Sequence, residues 1–240
     1  ALHVWAFDSF STSISTAQMA EALILGRSGA SLAVIGALLV AIGISTRGRF
    51  RLSLPYVIAG GGSGLLGVAT TSISGFAHSW RPDAWAADAP LATWVFLSYG
   101  LLALVGAAMT RVRWFTIAAA GLLFVGSIHA FGYNPALQSQ INQIAAAVHP
   151  VVFGVMVYGL LMIGIAAVGH ATIGRQESSE EKASWWLGWT QPLCWAATLA
   201  TASAIPFIVT LSDQLFLDHA LYAIMLAITW LGGAWLLREP

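Results

Sequence analysis

Charge is scarce in this chain. Of its 240 residues only 8% are Asp, Glu, Lys or Arg, while 58% are hydrophobic. A soluble domain carries about 25% charged residues, so most of this surface must face something apolar. The ten basic and ten acidic side chains cancel and form no basic run, so nucleic acid is not an expected partner. A single cysteine, Cys194, leaves no intrachain disulfide, and without a Cys-x-x-Cys-His run there is no covalent c-type haem. No His-Glu-x-x-His helix of a zinc protease occurs. The one lysine, Lys182, falls in a polar loop rather than in the last apolar run, which removes the Schiff base that a retinal protein needs. No internal repeat suggests an inverted-repeat transporter. No basic segment of the signal-peptide kind precedes the first apolar run.

What the chain has in abundance is long apolar runs. Runs of 18 or more such residues read as bilayer-spanning helices. Seven occur, at roughly 29–46, 54–78, 91–110, 114–132, 144–169, 187–211 and 219–237. The expected fold is an all-α integral membrane protein, a bundle of seven transmembrane helices embedded in the lipid bilayer. Residues 29–240 form that domain. Residues 1–28 are an outer N-terminal segment or an extension of the first helix, and Glu21 and Arg27 argue against placing all of it in hydrocarbon. Orientation follows from the cations. Arg47, Arg49, Arg51, Arg111, Arg113, Arg175, Lys182 and Arg238 share one side of a seven-span chain, with Arg81 on the other and Arg27 near that other boundary. The positive-inside rule puts the N-terminus outside and the C-terminus in the cytoplasm, as in a bacterial or archaeal cytoplasmic membrane. Trp5, Trp80, Trp85 and Trp94 fall near the outer boundary, and Trp114, Trp185, Trp186, Trp189 and Trp235 near the inner one, as two aromatic belts.

Against this frame the histidines are one-sided. His78 closes the second span, and His129 and His149 flank the turn of "SIHAFGYNPALQSQINQIAAAVHP" between the fourth and fifth. His219 opens the seventh, and His3 precedes the first. All are outward, and only His170 is inward. His129 and His149 come from consecutive antiparallel helices and are expected at one depth. Neutral imidazoles on facing helices are the usual axial ligands of b-type haem, and Arg27 and Arg81 are the cations available to its propionates. His78 and His219 offer a second ligand pair or a replacement for one member of the first. Zinc or copper is the alternative occupant. His149 and His170 are 21 residues apart, roughly 31 Å along a helix, too far for two close haems stacked across the membrane. Helix-end polar caps, or a proton relay without metal, are the remaining readings. Asp218 precedes His219 and could orient it as a hydrogen-bond acceptor.

The second span carries a stripe of small and polar residues, Gly60, Gly64, Gly67, Thr71, Ser74 and His78, spaced 4, 3, 4, 3, 4. Such a stripe is a close helix–helix contact or a smooth face against a flat cofactor with His78 at its polar end, and over its length the two can coexist. Pro206, inside the sixth run, is expected to kink it.

The stretch "SGFAHSWRPDAWAAD" sets Ser74 four before His78 and Asp88 ten after it, with His219 opening the last span. In these roughly twenty residues the chain resembles the seven-helix alkaline ceramidase and adiponectin-receptor superfamily. The resemblance implies a zinc held by His78, Asp88 and His219, and a metal-bound water that hydrolyses a lipid amide. The position four after His219 is Ala223 where that superfamily has a third histidine, so His129 or His149 would have to supply it. Three functions therefore stand: a haem- or metal-binding electron-transfer subunit of a larger membrane complex, a zinc-dependent lipid amide hydrolase, and a cofactor-free scaffold or transporter subunit.

Overall fold

The computed structural model describes residues 26–46, 50–77, 89–110, 112–134, 139, 149–173, 179–210 and 216–238. All regular structure among them is helical. The elements are α1 (Gly26–Ser45), α2 (Phe50–Ala77), α3 (Ala89–Thr110), α4 (Arg113–Gly132), α5 (Pro150–Ile173), α6 (Ser179–Trp185), a π-helical turn (Trp186–Thr190), α7 (Gln191–Thr210) and α8 (Phe216–Arg238). Seven helical stretches are long and apolar enough to cross a membrane, with α6, the π turn and α7 together making the sixth. Each presents large apolar side chains outward, among them Leu38, Leu65, Leu101, Trp114, Leu161, Leu199 and Leu231. Exposed apolar surface on this scale is unstable in water and matches a lipid environment.

The chain divides into two compact units, Ala1–Val95 and Phe96–Pro240, with the division inside α3. In the first unit, α1 and α2 pack backbone to backbone. A Cβ placed on Gly36 would stand 2.6 Å from the Gly64 nitrogen, and one on Gly60 would stand 2.7 Å from the Gly36 carbonyl oxygen. Gly67 is equally tight against Ala33, and a Cβ on Gly29 would collide with Thr70 and Thr71. The small stripe of α2 is therefore covered, from Gly60 to Thr71, by a matching stripe on α1: Gly29, Ala33, Gly36 and Gly43. Of its two readings, helix–helix packing is the one that accounts for this face. The hydroxyls along it are satisfied within their own helix. Thr71 donates to the Gly67 carbonyl and Ser74 to the Thr71 carbonyl, the arrangement by which Ser and Thr sit in apolar helices.

The second unit is built around α5. It is the most hydropathic span and half of it is buried, against 28% for the α8 span. A helix that is apolar all round belongs in an interior. Its buried Val155, Met156, Met162 and Ala166 pack with Leu123 of α4, Leu193 and Ala197 of α7, and Met225 of α8. Among the described residues, side-chain hydrogen bonds tie neighbouring helices: Trp186 Nε1 donates to the Leu236 carbonyl, Trp189 Nε1 to the Ile165 carbonyl, Tyr158 Oη to the Ala120 carbonyl, Trp230 Nε1 to Thr201 Oγ1, and Thr116 Oγ1 to the Gly188 carbonyl.

The last of these explains the π turn. In an α-helix the Gly188 carbonyl would take the N–H of residue 192, but that residue is proline and has none. The backbone widens instead, with the Gln191 N–H donating to the Trp186 carbonyl. Thr116, fully buried on α4, supplies a donor to Gly188. Thr116→Val keeps the shape and leaves that carbonyl without its hydroxyl donor. Stranding a buried acceptor costs about 1–3 kcal/mol in general, whereas interhelical hydrogen bonds in membranes average about 0.6 and reach ~1.7. The expected loss is therefore about 1–2 kcal/mol in detergent unfolding, with Thr116→Ser close to the parent. Equal stability of Thr116→Val and parent would show that the bond contributes nothing.

Candidate functional site

The fifth span begins later than its apolar composition suggests. Hydropathy predicts a helix from 144, with His149 about a turn inside it; the helix begins at Pro150. Proline has a helix-compatible φ and no N–H to satisfy, which suits it to a first helical position. His149 is consequently the residue before the helix. Its carbonyl accepts the Phe153 N–H, and its side chain is exposed.

His129 sits in a different environment. It lies on the last turn of α4 and is fully enclosed, at 0% exposure. Its ring stacks on that of Tyr133 at 5.9 Å and lies 6.1 Å from that of Phe96. The Tyr133 N–H donates to its carbonyl and closes the helix. The register of α4 against α5 separates this imidazole from His149. A Cβ on Gly154 would meet the Phe131 Cβ at 2.8 Å, and one on Gly132 would meet Val151 at 2.8 Å. His129 is thus level with residue 155 or so, and His149 lies about six residues further out, roughly 9 Å at 1.5 Å per residue. Helical side chains lean towards their own N-terminus, which moves these two rings further apart. The expected common depth does not hold in this register.

His219 is level with His149 instead. A Cβ on Gly159 would meet Thr229, and Cβ atoms on Gly232 and Gly233 would each meet Ile163. Facing residues of α5 and α8 thus differ by 69–70 in number, a constant offset that makes the two helices parallel. His149 and His219 differ by 70. His219 is half-buried. His170, near the other end of α5, is half-buried with its ring edge-on to Trp235 at 5.8 Å.

Of the remaining candidates, Arg27 lies on α1, where its carbonyl accepts the Ser31 hydroxyl at 2.8 Å. His78, Arg81 and Asp88 lie outside the described residues, as do His3 and the segment 1–25. Among the described residues no three of His, Cys, Asp or Glu converge as a metal site. Two open apolar grooves flank α5 in the second unit. One, of about 540 Å³, runs from Arg113 past Ile117, Phe124 and Tyr158 to Trp195; the other, of about 410 Å³, lies over Gly164 beside Trp185 and Trp189. No histidine lines either groove. The level pairing of His149 with His219 was open to no reading of the sequence, because it depends on which glycines of one helix meet which side chains of the other. No family model, curated protein or solved structure matches the chain.

Proposed function

We propose that this integral membrane protein is a subunit of a larger redox complex, holding a b-type haem through His129 and passing electrons near the outer face of a bacterial or archaeal cytoplasmic membrane. The observation that carries the reading is the complete enclosure of that imidazole. Ionisable side chains inside membrane helices are costly, rare and commonly functional. A buried neutral imidazole gives iron an axial nitrogen and excludes water, and axial ligation and burial are among the factors that tune a haem potential. Zinc hydrolysis, the alternative, asks for three or more converging donors. Two of those implied, His78 and Asp88, lie outside the described residues, and the Ser74 hydroxyl of the resembling motif donates to its own helix. The haem reading needs one histidine on this chain and a second axial ligand, for which a partner subunit is the source this register leaves, since His219 lies level with His149 rather than with His129.

The test is the absorption spectrum of protein purified from its own membranes with any associated subunits. A Soret band that shifts on reduction supports the reading. A colourless preparation containing stoichiometric zinc supports the hydrolase, and one with neither supports a cofactor-free scaffold. The outward placement of the histidines is tested separately. A reporter joined after Arg238 is expected to be active in the cytoplasm only. Activity of a periplasmic reporter at that position would reverse the orientation.

A further inference from the structure

The larger groove of the second unit has an apolar body and one charged end. Its walls are α4 and α7, and Tyr158 of α5 lies between them. The first turns of both walls are neighbours, because Thr116 near the start of α4 is bonded to Gly188, just before the start of α7. Large side chains form the rims, Ile117 and Phe124 on α4 and Trp195 and Leu199 on α7. Small residues line the slot between them, Ala120, Gly121 and Ala200 among them. A Cβ on Gly121 would meet nothing within 4 Å. The Tyr158 hydroxyl already donates to the Ala120 carbonyl, so this residue brings the slot an aromatic ring and no free donor. Among the described residues that line the groove, Arg113 alone is charged. It is exposed and sits at the end where the first turns meet. Trp114, next to it in the chain, is 75% exposed, as suits the interfacial belt.

We infer that this groove holds one acyl chain of an anionic phospholipid from the leaflet on the Arg113 side, with the lipid phosphate on the Arg113 guanidinium. The dimensions agree. Each wall spans eleven residue steps, 113 to 124 and 192 to 203, roughly 16 Å at 1.5 Å per residue. One leaflet's half of a hydrocarbon core about 30 Å thick is about 15 Å. A volume of about 540 Å³ over that length leaves a cross-section of roughly 33 Å², less than half that of a helix about 10 Å across. A hydrocarbon chain therefore lies within the slot, whereas a partner helix would insert only its side-chain tips. Apolar walls alone select no lipid, because lipid tails are as apolar as leucine. Selection comes from shape and from the cation, whose N–H groups match phosphate oxygens. Basic pockets between spans on the cytoplasmic side bind anionic headgroups in the same way. Which leaflet this is follows from the orientation proposed above; the groove and its occupant depend neither on that orientation nor on haem.

The experiment is native mass spectrometry of the full chain in detergent, titrated with phosphatidylglycerol and with phosphatidylcholine of the same acyl chains. The parent is expected to take up one phosphatidylglycerol first, with a preference of about fivefold over phosphatidylcholine, the factor one cation gives near an anionic surface. Arg113→Gln is expected to abolish the preference. Arg238→Gln, which removes the cation in the last turn of α8, is expected to keep it. Gly121→Leu is expected to lose the preference as well, because a leucine in the slot holds the chain, and with it the phosphate, out of place. Gly164→Leu, whose Cβ position is equally open but lines the other groove, is expected to bind as the parent does. Thermal unfolding confirms that each variant is folded, and Ser203→Leu repeats the blocking test should Gly121→Leu fail. A parent without preference overturns the inference. So does an equal loss in Arg113→Gln and Arg238→Gln, which would mark a diffuse surface field, and so does parent-like preference in both Gly121→Leu and Ser203→Leu. A parent that is dimeric, and monomeric as Gly121→Leu, gives the groove to a second copy and overturns it too.

Discussion

Gly60→Leu is expected to prevent stable pairing of α1 with α2, whereas Gly62→Leu, two residues away, is expected to be tolerated. The difference is geometric. At Gly60 a Cβ alone would stand 2.7 Å from the Gly36 carbonyl oxygen and from the Val40 nitrogen. Both are backbone atoms and cannot swing aside as a side-chain tip can. The helices would have to separate along their length, giving up the contacts at Gly36, Gly43 and Gly67 as well. Overpacking a well-filled interior costs typically about 1–3 kcal/mol, and a site obstructed at such short range by two backbone atoms and the Leu39 Cβ belongs at or beyond the upper end. Gly62 has nothing within 4 Å of its Cβ position, so leucine there adds apolar surface on an open side of α2. Fluorescence-detected gel filtration and thermal unfolding in detergent read the contrast. Gly60→Ala should lie between the parent and Gly60→Leu. Equal behaviour of the Gly60 and Gly62 leucine variants would show that α1 does not lie against that face.

The same pair of helices shows how far the sequence reaches. The seven spans were legible because a bilayer demands long unbroken apolar runs, and such runs need no partner to be recognised. The stripe on α2 was legible from its spacing alone, but its partner on α1 was not singled out. Gly29, Ala33, Gly36 and Gly43 repeat at 4, 3 and 7, and that signal could have been found. The start of α5 was misplaced because residues 144–148, "IAAAV", are as apolar as any span. The better indicator was Pro150, which favours a helix start over a helix interior. The π turn had an indicator too, in Pro192, but Pro206 drew attention as the expected kink. The candidate site was legible only as a set of histidines near helix ends. Counting residues from a loop gives depth to within a turn or two. It cannot give the register between two helices, which depends on where Gly154 admits Phe131 and where Gly159 admits Thr229. That register separates His129 from His149 and brings His149 level with His219. Enclosure was hidden for the same reason: nothing local to "SIHAFGY" says that Phe96, some thirty residues earlier, lies beside the imidazole.

Replacing His129 by leucine separates a ligand from a packing residue through haem content. If His129 only fills space between Phe96 and Tyr133, an apolar side chain of similar volume there leaves the absorption of the preparation as it is in the parent. If His129 holds haem, the leucine variant loses a bond that no neighbouring side chain supplies. It also loses the stabilisation that a bound ligand confers, about 2.7 kcal/mol when free ligand is a hundredfold above its dissociation constant. The haem reading therefore expects His129→Leu to fall in melting temperature and to lose haem: with free haem a hundredfold above the parent's dissociation constant, a ligand loss of about 4 kcal/mol weakens binding roughly a thousandfold and leaves about a tenth of the sites filled. His170→Ala, edge-on to Trp235 at the other end of α5, is expected to keep a full complement. His129→Ala is the less informative variant, since the cavity it opens would lower stability under either role. A leucine variant that melts at or above the parent and absorbs as the parent does would make His129 a packing residue, and the electron-transfer reading would fall with it.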